Sequence, residues 1–131
     1  MTLAREGRMH PRGPHPLRAV LQHRWDLTPA EAAALQRVLA ARVRPSGPLP
    51  REPFFVAGCD ATGLGRWARR DEDLIAAVLV FRLPGGALID YAWVRRPSPF
   101  PYVPGLLSFR EAPLYAEALA GLTVRPDVLL C

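Results

Sequence analysis

The sequence contains no lysine and no asparagine, so each of its 17 basic residues is an arginine. Arginine offers a planar, five-donor fork that suits phosphate, and against 12 acidic residues it leaves a net charge of +5. The arginines are scattered from Arg5 to Arg125 with no basic block. Composition therefore permits a polyanionic partner without singling one out. Cysteine is scarce too, with two residues. Cys59 and Cys131 cannot build a disulfide framework, and no charged-then-apolar leader precedes a small-residue cleavage site, so a reducing cytoplasm is the expected location. No stretch approaches the roughly 18 consecutive apolar residues of a membrane-spanning helix, and no membrane partner is expected. What remains is 131 residues, 50% hydrophobic and 22% charged. That composition excludes a disordered tail or a coiled coil and suits one globular domain with a real core.

Residues 1–27 read as an extension outside that domain. They carry Arg5, Arg8, Arg12, several prolines and His10, His15 and His23 without a sustained period or a metal-ligand spacing. A helix is predicted from Thr28 to about Val43. Thr28 caps it, Pro29 takes the first helical position, and Glu31 completes a capping box. Leu35, Val38, Leu39 and Val43 share one helical face. Three strands follow, at 54–60, 74–83 and 87–95. The first is apolar enough to be covered on both faces. Pro84-Gly85-Gly86 turns the second into the third, making an antiparallel meander. Pro97, Pro99, Pro101 and Pro104 exclude regular structure from 97–105. A second helix runs to about Leu122, with Leu107, Leu114, Ala118 and Leu119 near one side. It starts at Ser108 or at Ala112, with Pro113 in its first turn. A fourth strand begins at Asp127, and the helix before it implies a crossover that sets this strand parallel to the first.

Each chemically suggestive residue has two readings. Asp60 ends an apolar strand, where a carboxylate is placed to meet a hard cation, or else it opens the following turn. Gly63-Leu-Gly65 is weak as a phosphate loop because no helix follows it. Glu111 is a carboxylate on the second helix, but Ser108-Phe-Arg-Glu111 has capping-box spacing. The prolines around Tyr102 and Val103 stiffen an apolar projection of the kind that proteins wedge between bases. In the other reading, Phe100, Tyr102 and Phe109 fold back onto the core.

The segment Phe100-Pro-Tyr-Val-Pro-Gly-Leu-Leu-Ser-Phe-Arg-Glu111 closely resembles a stretch of the endonuclease V family, the deoxyinosine 3′ endonucleases. Val56-Ala-Gly-Cys-Asp60 is similar to the family's first strand, and Arg125-Pro-Asp-Val-Leu-Leu130 to the strand preceding its Asp-Gly-His-Gly motif. The resemblance covers 28–131, about the N-terminal half of a full-length member. It implies an α/β fold with an RNase H-like mixed sheet of order 3-2-1-4. Three strands would be antiparallel, a crossover helix would follow, and the fourth strand would lie parallel to the first, with the C-terminal part missing. By the same resemblance Asp60 and Glu111 are catalytic, metal-binding carboxylates for Mg²⁺ or Mn²⁺. Pro101, Tyr102, Val103, Pro104 and Gly105 form a wedge that parts strands beside a damaged base. The partner is then DNA containing deoxyinosine, or inosine in RNA, and the base is flipped into a pocket. Arg95, Arg96 and Arg110 are phosphate contacts on chemical grounds alone. The family's Asp-Gly-His-Gly run would begin where this sequence ends. An incomplete nuclease domain at 28–131, inactive by itself, is therefore expected; the alternative is a non-catalytic nucleic-acid-binding remnant of the same fold.

Overall fold

The computed structural model describes residues 23–48, 53–63 and 73–131. Most of the expected extension, residues 1–22, lies outside the described residues, as do Gly65 and most of the charged stretch after it. Helix α1 spans Pro29–Ala40 and begins as its sequence predicts. The Thr28 hydroxyl accepts from the Glu31 N–H, and the Glu31 carboxylate accepts from the Thr28 N–H at 2.8 Å. The helix stops short of Val43, and only the Leu35 and Leu39 part of the expected apolar face is used. Val38 and Val43 are exposed, at 56% and 66%. Ala32 is buried instead, and Ala33 and Leu35 pack beside it on Phe100, Leu106 and Phe109. The reason is the docking partner. α1 rests on an aromatic cluster that also takes up Trp25 and Leu27, not on the sheet.

The sheet has order β3-β2-β1-β4, built from β1 (Phe55–Gly63), β2 (Asp73–Arg82), β3 (Ala87–Pro97) and β4 (Val128–Leu130). β1 to β3 form the antiparallel meander, and β4 pairs parallel to β1 from Val56↔Val128 to Gly58↔Leu130. The turn between β2 and β3 needs positive φ at both Gly85 and Gly86, which glycine adopts without steric cost. Helix α2 (Leu107–Ala120) crosses from β3 to β4 over one face of the sheet. Beneath it Leu74, Ala76, Val78 and Val80 of β2 are buried, against Leu114, Ala118 and Leu122. Val78 and Val80 are among the largest fully buried side chains, each contributing about 1.5–3 kcal/mol of burial.

The second face differs from the expectation for β1. Among the described residues no element covers it, and Tyr91 and Trp93 of β3 stand exposed there. β2 is apolar on both faces nonetheless, with Ile75, Ala77 and Leu79 half-buried between their neighbours.

α2 starts at Leu107, one residue before the earlier of its two expected starts. Pro113 therefore lies in its second turn rather than its first, and has no N–H to give the Phe109 carbonyl. Two tethers hold the crossover. The Asp127 carboxylate accepts from the N–H groups of Phe54 and Phe55, both at 2.9 Å, fixing the entry of β4 beside β1. The Asp90 carboxylate accepts from the N–H groups of Thr123 (2.7 Å) and Val124 (2.9 Å), tying β3 to the segment after α2. One step beyond the last β1–β4 pair, Cys59 and Cys131 are joined as a disulfide with Cα atoms 5.0 Å apart. A single bridge is not a framework, but it runs against the reducing location expected from the cysteine count.

Candidate functional site

Asp60 does not open a turn. β1 continues for three residues beyond it, to Gly63. It pairs with Ala77 of β2, while β4 reaches only as far as Gly58. Its carboxylate is thus exposed at a point where the sheet has lost one neighbour, and Oδ1 accepts from the Ala61 N–H at 2.9 Å.

Glu111 is likewise released from its structural alternative. The residue before α2 is Leu106, which makes no side-chain cap, so no capping box forms from Ser108. Glu111 is half-buried, and its Oε2 accepts from the Tyr115 hydroxyl at 3.0 Å. Tyr115 packs against the cluster of Leu74, Ala76 and Leu114, as does Ala61, the residue following Asp60. The phenol is pushed well above its ordinary value. Burial is the largest cause, followed by the hydrogen bond to Glu111, the Glu111 charge and the Asp60 charge. Glu111 therefore holds the hydroxyl directly, and the Asp60 charge acts on it only through space. Tyr115 was not among the expected site residues, although its i,i+4 spacing from Glu111 on one helix is a usable signal.

The donor chemistry of this pair fits a hard divalent cation, which takes carboxylate oxygens. Nearby acids are used differently: Asp73 is paired with Arg95 at 2.8 Å, and Glu117 with Arg96. Among the described residues no group of three His, Cys, Asp or Glu side chains gathers for a metal, so the pair supplies part of a ligand set.

The proline-rich loop reaches from β3 to α2. Phe100 and Phe109 do fold back onto the core, with ring centroids 5.8 Å apart. Tyr102 does not; it is 53% exposed. Val103, expected to project beside it, instead packs against the Phe100 cluster. Pro101 is half-buried, while Pro104 and Gly105 are exposed. Gly105 has φ +84°, a conformation that favours glycine, and its carbonyl accepts from Gln36 Nε2 of α1 at 2.9 Å.

Of the three expected phosphate contacts, Arg110 is displaced from that role. It is only 3% exposed, and Nη1 donates to Ser98 Oγ at 2.7 Å and to the Phe100 carbonyl at 2.9 Å. Arg110 braces the loop from inside. Arg95 and Arg96 are exposed on β3, with guanidinium groups that already hold Asp73 and Glu117.

Residues 37–131 match the family model for Endonuclease V. The chain belongs to the endonuclease V family. An endonuclease V of Roseiflexus sp. (strain RS-1) is 41% identical over 110 residues, which are 82% of this chain and 45% of that protein. The crystal structure of endonuclease V from Streptomyces avermitilis superposes with a TM-score of 0.71 at 35% identity, covering 82% of this chain and 46% of the other. The fold recurs, at 18% identity and a TM-score of 0.58, in a Ciona intestinalis endonuclease V. There 68% of this chain and 37% of that one are covered, and the Ciona protein is bound to a 24mer DNA containing an inosine followed by a ribo-adenosine. The chain thus spans slightly less than half the length of the endonuclease V relatives it matches. The sheet order, the parallel β1–β4 pair and these neighbours make the fold the RNase H-like one expected.

Proposed function

We propose that this chain is the carboxylate- and wedge-bearing part of an endonuclease that hydrolyses a phosphodiester bond 3′ to deoxyinosine in DNA. The observation that carries the reading is Glu111 held by Tyr115 on a helix that directly follows the loop presenting Tyr102, with Tyr115 and Ala61, the neighbour of Asp60, packed on one apolar cluster. Asp60 and Glu111 would hold Mg²⁺, or Mn²⁺ in its place. Bound there, the ion activates water and neutralises charge on the scissile phosphate. Tyr102 stacks into the gap left by the flipped base, and Pro101, Val103, Pro104 and Gly105 set its position. Arg95 and Arg96 steer the backbone.

Two carboxylates hold Mg²⁺ weakly, because that ion depends on several well-placed oxygens. The chain by itself is accordingly proposed to be inactive. Continuing the β1–β4 register by the same offset sets the position after Cys131 beside Asp60. A carboxylate supplied there would complete the ligand set.

The test has two arms. The 131-residue chain with Mg²⁺ leaves an inosine-bearing strand uncut; cleavage that disappears in Asp60→Asn would overturn the proposed inactivity. Extended by the remaining length of the Roseiflexus protein, the same chain cuts the inosine strand and spares an adenosine control. An extended protein that binds both strands in a salt-dependent way and cuts neither favours the second reading, a binding remnant. That reading is supported by the lack, among the described residues, of a third metal-holding side chain. Inosine in an RNA strand serves as a parallel substrate. The proposed location is the cytoplasm, where the Cys59–Cys131 bridge would be kept reduced. Cys59 and Cys131 would then both react with a thiol reagent in fresh lysate, and blocked thiols would contradict the location.

A further inference from the structure

We infer that Tyr115 is a positioning residue that holds Glu111 in the orientation needed to ligate a divalent cation. The inference rests on reading Asp60 and Glu111 as metal carboxylates. Glutamate reaches its carboxylate through a flexible side chain, so an unheld Glu111 would sample many positions on the α2 surface. The Tyr115 hydroxyl, one helical turn on, donates to Oε2 at 3.0 Å. The hydroxyl is itself fixed, because its ring is packed against the buried cluster of Leu74, Ala76 and Leu114, on which Ala61 of β1 also packs. The contact therefore references Glu111 to the strand that carries Asp60.

The chemistry of the donor also matters. An arginine at this distance would pin the carboxylate but cancel its charge, as Arg96 does for Glu117. A neutral phenol pins one oxygen and leaves the charge, with the other oxygen and a remaining lone pair, for a cation. Outer partners of this kind orient metal ligands, and losing one typically costs about 10- to 100-fold in metal affinity. The competing explanation is an ordinary i,i+4 helix pair with no consequence for a metal.

Mn²⁺ alone, titrated into the full chain and read by the electron paramagnetic resonance of the free ion, separates the two. Tyr115→Phe keeps the ring and removes only the hydroxyl. It weakens Mn²⁺ binding about 10-fold or more, while circular dichroism and melting temperature stay at the wild-type values. Tyr115→Gln, which restores a donor without the ring, recovers part of the affinity. Glu111→Gln and Asp60→Asn abolish binding. Should Tyr115→Phe bind like wild type while those two variants do not, the inference fails and the carboxylate reading stands. Weak binding in Tyr115→Phe that comes with a lowered melting temperature would assign the effect to loss of the local fold, which also overturns it. If wild type binds no Mn²⁺, or binds it undiminished in Glu111→Gln and Asp60→Asn, the carboxylate reading itself falls and the inference with it.

Discussion

Arg110 Nη1 donates to Ser98 Oγ at 2.7 Å, and Ser98 Oγ donates in turn to the Phe100 carbonyl. This buried chain of contacts clamps the start of the proline-rich loop to α2. Ser98→Ala removes one partner of a buried guanidinium and is expected to cost roughly 1–3 kcal/mol. Arg110→Leu fills part of the volume but leaves Ser98 Oγ without its donor and the Phe100 carbonyl with Ser98 alone, and is expected to cost more. Urea unfolding measures both. A stability change near zero for Ser98→Ala would show that the clamp does not hold the loop.

The carboxylate of Asp127 bridges the first residues of β1 to the start of β4, whose ladder is only three residues long. With the Cys59–Cys131 bridge reduced, Asp127→Ala should therefore release β4 without disturbing the meander. Hydrogen exchange is the direct measurement: amides of 128–130 lose protection, while those of β2 and β3 keep theirs. Uniform loss of protection would mean that β4 and the meander unfold as one unit.

Much of this architecture is legible in the residues. Thr28, Pro29 and Glu31 specify the start of α1 through contacts within one turn, and Pro84-Gly85-Gly86 specifies the hairpin through φ angles that few residues adopt. The meander and the parallel fourth strand are legible from the turn and the crossover, whereas the place of β4 beside β1 comes with the family resemblance. What local pattern misdirects is decided by partners far along the chain. Val38 lies outside the buried face because α1 meets Phe100 and Phe109 rather than the sheet. Arg110 resembles a surface phosphate contact until Ser98 and the Phe100 carbonyl enclose it. Glu111 has the spacing of a cap, but α2 begins before Ser108, and the carboxylate is left for Tyr115.

Asp90 makes stability depend on acid pH. Partial burial disfavours its charge, but the N–H groups of Val124 and Thr123, the Thr123 hydroxyl and the Tyr91 N–H outweigh that and hold the carboxyl below its ordinary value. A depressed folded-state value contributes stability that is present above the unfolded-state value and is lost as pH falls through the folded one. At pH 7 Asp90→Asn is expected to destabilise by roughly 1–3 kcal/mol. The gap to wild type narrows as pH drops below about 4, where the unfolded carboxyl titrates. Thermal melts from pH 7 to pH 3 check the sign; a gap that widens toward acid contradicts the assignment.

Tyr102 is the residue where stability and function should part most cleanly. It is exposed, while its neighbours Phe100 and Val103 hold the loop to the core. Tyr102→Ala is therefore expected to change unfolding free energy by no more than about 0.5 kcal/mol. If the ring stacks against bases, its loss removes about 1–3 kcal/mol of binding, the range measured for single base–aromatic contacts. That corresponds to roughly 5- to 150-fold in Kd at fixed salt. Fluorescence anisotropy of a labelled inosine duplex gives the affinity, and 2-aminopurine beside the inosine reports unstacking directly. Tyr102→Phe should keep both signals, because stacking uses the ring and not the hydroxyl. A Tyr102→Ala variant that binds and unstacks like wild type would remove the wedge from the proposed function and leave the carboxylate pair to stand without it.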